Sequence, residues 1–158
     1  MSQKITPFFW FDNQAEEAAQ FYTSIFPNSK ITQIARYTDV GPGPAGSVMT
    51  VGFELDGQPY TALNGGPLFQ FNESVSFVVH CKTQQEVDHY WDSLIAGGTP
   101  SQCGWLKDKF GLSWQIVPDA LIELMQDKDA RKARNVVAAM MKMVKLDIAT
   151  LQKAYNQE

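Results

Sequence analysis

Few side chains in this sequence could do proton or metal chemistry. Its 158 residues hold two histidines, His80 and His89, and two cysteines, Cys81 and Cys103. His80 stands near the end of an alternating stretch, Ser74–Cys81. An imidazole there can act as a general base, a proton relay or a donor that anchors a ligand. The plainer reading is a strand-end histidine satisfied by backbone or water. His89, between Asp88 and Tyr90, falls off the apolar face of Val87, Trp91 and Leu94 and reads as a solvated helix residue. Cys103 has no Lys, Arg or His beside it in sequence to activate it, and Cys81 reads as core. Two cysteines are too few for a disulfide scaffold or a structural zinc site, so free thiols and a cytoplasmic location are expected. The stretch from Gly41 to Gly46 lacks the Lys and the following helix of a phosphate-binding loop; it reads as a surface connection or a lid.

These residues must be positioned by a globular frame. Hydrophobic residues make up 44% and charged residues 19%, with a net charge of −4. An acidic chain without a basic patch is not expected to bind nucleic acid. The longest apolar runs, Pro7–Phe11 and Val136–Met141, fall far short of the roughly 20 residues of a membrane helix, so no membrane association is expected. The short apolar run after Lys4 stops before Asp12 without a cleavage site, which argues against a secretory signal.

Ile5–Asp12 reads as a buried strand, Asn13-Gln14-Ala15-Glu16 as a capping box, and the helix that follows carries Ala18, Tyr22, Ile25 and Phe26 on one face. Lys30–Tyr37 is a strand, and Asp56-Gly57 joins two more, Ser47–Leu55 and Gln58–Leu63. A second round repeats the order. Ser74–Cys81 is a strand, Thr83-Gln84-Gln85-Glu86 a capping box, and a helix follows with Val87, Tyr90, Trp91, Leu94 and Ile95 inward. A hairpin then turns at Phe110-Gly111, and after Pro118 the spacing is helical. Phe21-Tyr22 matches Tyr90-Trp91 at an offset of 69, and the hairpins match at 54, so the second copy is 15 residues shorter. The expected fold is α+β: one domain over 1–158 with two sequential βαβββ units, about 4–66 and 73–118. Each unit supplies a curved, mixed, mainly antiparallel sheet around a cavity, and a helical extension follows over about 119–156.

The chain resembles the vicinal oxygen chelate superfamily, which includes glyoxalase I, extradiol dioxygenases and bleomycin-resistance proteins. Within it the match is to the PhnB-like family, often labelled 3-demethylubiquinone 3-methyltransferase-like. The resemblance rests on Ile5-Thr6-Pro7-Phe8-Phe9-Trp10-Phe11-Asp12, Phe26-Pro27-Asn28-Ser29, Leu63-Asn64-Gly65-Gly66-Pro67, Cys103-Gly104-Trp105-Leu106-Lys107-Asp108 and Gly111-Leu112-Ser113-Trp114-Gln115-Ile116-Val117-Pro118. Metal-dependent members carry His and Glu ligands on the first and last strands of each unit. Carried over, those positions are Ile5, Thr61, Ser74 and Gln115. None is a carboxylate or an imidazole, so no metal and no cofactor is expected. Two-residue periodicity then assigns the rest of the cavity wall: Phe9 and Phe11 with Ile5, Leu63 with Thr61, Ser76, Val78 and His80 with Ser74, and Ser113 with Gln115. Phe8, Trp10, Tyr60, Val75, Phe77, Trp114 and Ile116 are expected beneath the helices.

The methyltransferase label finds no support in a Gly-rich strand–turn–helix, since Asp12-Asn13-Gln14 opens the first helix. The leading expectation is a metal-free protein that encloses a small apolar or aromatic ligand, with Phe9, Phe11, Thr61, Leu63, Ser74, Ser76, His80, Ser113 and Gln115 as its contacts. The alternatives are an enzyme of the same superfamily and a dimeric interaction module. A homodimer is expected from the superfamily habit and from Val136, Val137, Met140, Met141 and Val144 at helical spacing.

Overall fold

In the computed structural model, which describes residues 3–157, the chain divides between Phe71 and Asn72 into two units. In the first, β1 (Phe8–Phe11) leads to α1 (Ala15–Ile25), then β2 (Lys30–Arg36), β3 (Val48–Leu55) and β4 (Gln58–Asn64). The sheet order is β1-β4-β3-β2, with β1 parallel to β4 and the other pairs antiparallel. The Asp56-Gly57 turn takes φ of 49° and 80°, the positive pair that a tight two-residue hairpin needs. The expected capping box at Asn13–Glu16 does not form. No side chain of the helix's own N-cap bonds its first turn. Instead Asn64, at the end of β4, accepts a 2.8 Å hydrogen bond from the amide of Ala15 and donates to the carbonyl of Val48. One side chain thus ties the helix start to two strands.

Register decides which residues meet α1. Phe9 pairs with Ala62, Ala62 with Val51, and Tyr60 with Phe53, and paired residues share a face. Tyr22 of α1 stacks on Phe53, Phe53 on Tyr60, and Tyr60 on Phe9. Ala15, Ala18 and Ala19 are fully buried, so the helix lies close against this aromatic layer. Phe9 and Phe11, expected on the opposite face, therefore belong to the helix-covered core, where Phe71 also packs against both. Phe8 and Trp10, expected beneath the helix, lie on the other face. The cause is local. β1 starts only at Phe8, so the parity counted from Ile5 does not pass through Pro7. All four β1 residues are aromatic, so no polar alternation marks the faces.

The second unit repeats the order: β5 (Ser76–Cys81), α2 (Gln84–Ile95), β6 (Thr99–Pro100), β7 (Trp105–Lys107) and β8 (Ser113–Pro118), with strand order β5-β8-β7-β6. Again one pair, β5 with β8, is parallel and the rest antiparallel. Half of the predicted capping box forms as expected, since Thr83 accepts from the amide of Glu86; the return bond is shifted by one residue, the Glu86 carboxylate accepting from the amide of Lys82 instead of that of Thr83. Trp114 and Ile116 are buried on the side that α2 covers, with Phe77, Val79 and Cys81 sharing their face by register. Val75 precedes β5 and is exposed instead of buried beneath α2. The turn from β7 to β8 is organised by Asp108. Its buried carboxylate accepts from the amides of Phe110 and Leu112 and from the Trp114 indole at 2.9 Å.

Three helices follow, α3 (Asp119–Met125), α4 (Ala130–Met140) and α5 (Ile148–Tyr155). Their core is Val117, Leu121, Val136, Leu146 and Leu151, with Met140 and Met143 packed against it. Gln84, in the first turn of α2, clamps this extension: its amide donates to the carbonyl of Leu146 and accepts from the amide of Ile148. Lys145 pairs with Asp88 one turn further along α2.

Candidate functional site

Each sheet has one face that its helix leaves uncovered. In the first unit this face carries Phe8 and Trp10 on β1 and Thr61 and Leu63 on β4, since Phe8 pairs with Thr61 and Trp10 with Leu63. Trp10 is fixed from three directions. Its indole donates to the carbonyl of Gly66, Phe69 meets it edge-on at 4.9 Å, and Gly65 lies so close that a Cβ there would come within 2.4 Å of the ring. Ile5 is 83% exposed and precedes β1. A separate cavity of about 450 Å³ lies where α1 begins, walled by Asp12, Glu16, Tyr37 and Asn64 and by the loop at Gly43 and Pro44. That loop lies flat on the Tyr37 ring, and Tyr37 donates to the carbonyl of Asn64.

In the second unit the face away from α2 carries Ser76, Val78 and His80 on β5, Ser113 and Gln115 on β8, and Trp105 and Lys107 on β7. Here the expected parity holds. The Gln115 amide donates to the hydroxyl of Ser76 at 2.9 Å, which fixes the two on one side. Ser74 stands in the turn before β5 and bonds Asn72, so it lies outside the strand on which it was expected. His80 is solvent-exposed. Lys107 forms an ion pair with Glu73, and that hydrogen bond holds the Glu73 carboxyl below its usual range. A cavity of about 250 Å³ opens among Glu73, Thr99, Trp105, Lys107 and Ser113.

Sequence reasoning missed Lys107 and Glu73 as parts of this face. The hairpin gave the wrong count. A two-residue turn at Phe110-Gly111 would set Lys107 opposite Trp114, on the face that α2 covers. The register is one residue off that count, and Lys107 pairs with Ser113, with which it shares a face.

The positions that would hold a metal do not fit one. Ile5 offers no donor atom, Thr61 and Ser74 offer neutral hydroxyls, and the Gln115 amide is engaged with Ser76. These are poor ligands for a divalent transition metal. Among the described residues no three His, Cys, Asp or Glu side chains gather as a metal site.

The thiols differ sharply. Burial, with the charges of Glu86 and Asp119 adding to it, pushes Cys81 up to about 12. Cys103 is half-buried, 3.8 Å from the Met141 sulfur. Iodoacetamide at mildly alkaline pH is expected to label Cys103 in the native protein and spare Cys81 until the chain is unfolded. Peptide mass mapping checks this, and equal labelling of both thiols in native protein would contradict the burial of Cys81.

Comparison with known proteins agrees with this geometry. A family model described as 3-demethylubiquinone-9 3-methyltransferase matches residues 3–117. A PhnB protein from Bacillus cereus is 38% identical, with a TM-score of 0.67 over 73% of this chain and 99% of that one. The chain belongs to the PhnB-type family of the vicinal oxygen chelate superfamily. The fold is shared more widely. PA1353 from Pseudomonas aeruginosa is 18% identical with a TM-score of 0.61 over 74% of this chain and 98% of that one. The fosfomycin resistance protein FosX from Listeria monocytogenes is 14% identical with a TM-score of 0.58 over 80% and 99%. No curated protein sequence matches. The match to the PhnB-type family model ends at residue 117, so α3–α5 lie beyond it. No described helix of this PhnB-type chain is long and apolar enough to cross a membrane.

Proposed function

We propose that this PhnB-type chain is a metal-free cytoplasmic protein that binds a small molecule with an apolar or aromatic body. The observation that carries the reading is the α2-free face of the second unit. There Trp105 offers a flat apolar surface beside the Ser76–Gln115 pair and the Ser113 hydroxyl. A few placed polar groups beside an aromatic wall is the usual composition of a ligand site. Thr61, Leu63, Phe8 and Trp10 supply the corresponding surface of the first unit, and His80 is a further polar contact at the end of β5. The family description names a methyltransferase, but the β1–α1 junction, Asp12-Asn13-Gln14, lacks the Gly-rich turn that such a donor site uses.

Elemental analysis of the purified protein is expected to find zinc, nickel, iron and manganese well below one per chain. About one tightly held metal, lost on Gln115→Ala, would overturn the metal-free reading. The same proposal includes a homodimer. Light scattering is expected to give twice the 17.7 kDa chain mass. Met141, 62% exposed beyond α4, is the residue to test. Met141→Glu should shift the population to monomer, and a dimer unmoved by it would remove the α4 end from the contact.

A further inference from the structure

The cavity beside β7 contains an unusual group. Ser113 is 1% exposed, its hydroxyl has no hydrogen-bond partner, and it lines the cavity together with Trp105, Lys107, Thr99, Ser101 and Glu73. Buried hydroxyls are nearly always satisfied, so an unpartnered one on a residue that lines a cavity points to a partner supplied from outside, reached when the Ser113 side chain turns toward the cavity. Lys107 is the register partner of Ser113, and Trp105 stands two residues away on the same face. Lys107 is not free in this structure. It pairs with Glu73, whose side chain is 60% exposed and sits in the turn before β5. An exposed ion pair of this kind is weak and readily exchanged.

We infer that this cavity takes a small aromatic carboxylate. One ligand oxygen accepts from the Ser113 hydroxyl and the other meets the Lys107 ammonium in place of Glu73, while the ring lies against Trp105. The inference rests on the small-molecule reading above and narrows it to an anionic class. The chemistry of the three groups selects that class. A lone hydroxyl accommodates any acceptor, a neighbouring ammonium prefers an anionic one, and an indole face favours a flat apolar body. The cavity volume of about 250 Å³ fits a small ligand, since drug-sized sites run to about 300–1,000 Å³. Glu73 acts as an internal carboxylate that occupies Lys107 until the ligand arrives.

Benzoate is the probe and benzamide its neutral counterpart, both followed by calorimetry and by indole fluorescence on the full chain. Benzoate should bind the unmodified protein at least about tenfold more tightly than benzamide, because the charge-assisted bond to Lys107 is lost with the amide. Lys107→Met should weaken benzoate about tenfold and leave benzamide unmoved. Ser113→Ala should weaken both about fivefold, and Glu73→Gln should tighten benzoate about two- to fivefold by removing the competing carboxylate. The comparison of the two probes needs no variant, so a substitution that fails to fold does not remove the test. Equal binding of benzoate and benzamide, both weakened by Trp105→Ala, would overturn the carboxylate assignment and leave the small-molecule reading standing. Absence of benzoate binding at millimolar concentration would overturn the inference. Neither probe binding, together with no small molecule carried through purification, would overturn the broader reading as well.

Discussion

Asp108→Ala is expected to destabilise the protein by about 3–5 kcal/mol, because it takes the acceptor from two buried donors, the Leu112 amide and the Trp114 indole, and from the half-buried Phe110 amide. The carboxylate is 3% exposed and holds the turn between β7 and β8 by the amides of Phe110 and Leu112. The third bond, from the Trp114 indole, fixes the largest side chain beneath α2. Native stabilities of about 5–15 kcal/mol make such a loss a large share of the total. Asp108→Asn, which keeps one acceptor oxygen in place, should lose distinctly less. Urea denaturation reads both variants, with the midpoint falling and the slope unchanged. An Asp108→Ala midpoint within about 1 kcal/mol of the parent would show that the turn is held by other means.

Leu146→Ala is expected to cost about 3 kcal/mol. Leu146 is fully buried in the core of the helical extension, among Val117, Leu121, Val136 and Leu151, and truncation leaves a cavity that the three helices can only partly close. Its carbonyl is also where Gln84 grips the extension. Gln84→Ala should therefore be milder alone. The two substitutions combined should depart from additivity, since the backbone that Gln84 grips is the backbone that the buried Leu146 side chain anchors. Unfolding curves for the two single variants and the double variant measure this. Strict additivity would mean that the Gln84 clamp and the Leu146 side chain stabilise the extension independently.

Much of the second unit was legible in the sequence because its strands alternate polar with apolar. Ser76 and Gln115 were expected on one face, and their hydrogen bond places them there. Thr83 and Glu86 announced their helix by a local pattern that needs no tertiary partner. The first unit was less legible for equally local reasons. In Phe8-Phe9-Trp10-Phe11 nothing in residue type separates the two faces, and Pro7 breaks the count from Ile5. Only the pairing of Phe9 with Ala62 assigns the faces. The cap of α1 was invisible for another reason. Asn64 lies 49 residues from the Ala15 amide it accepts from, and a tertiary cap leaves no spacing signature. The Lys107–Glu73 pair escaped notice because each residue taken alone looks like an ordinary surface charge.

The family assignment fixes the scaffold, and the scaffold hosts many chemistries, so function must be read from the site. The site we propose is the face of the second sheet where Trp105, Ser113 and Gln115 stand together. Native mass spectrometry of the full chain, purified without denaturation and compared with its Trp105→Ala and Gln115→Leu variants, tests this most directly. The account predicts a bound organic molecule, retained by the parent chain either as purified or after loading with benzoate and lost from both variants. A mass increment equal to one transition-metal ion, or a parent chain that retains nothing under either condition, would contradict it.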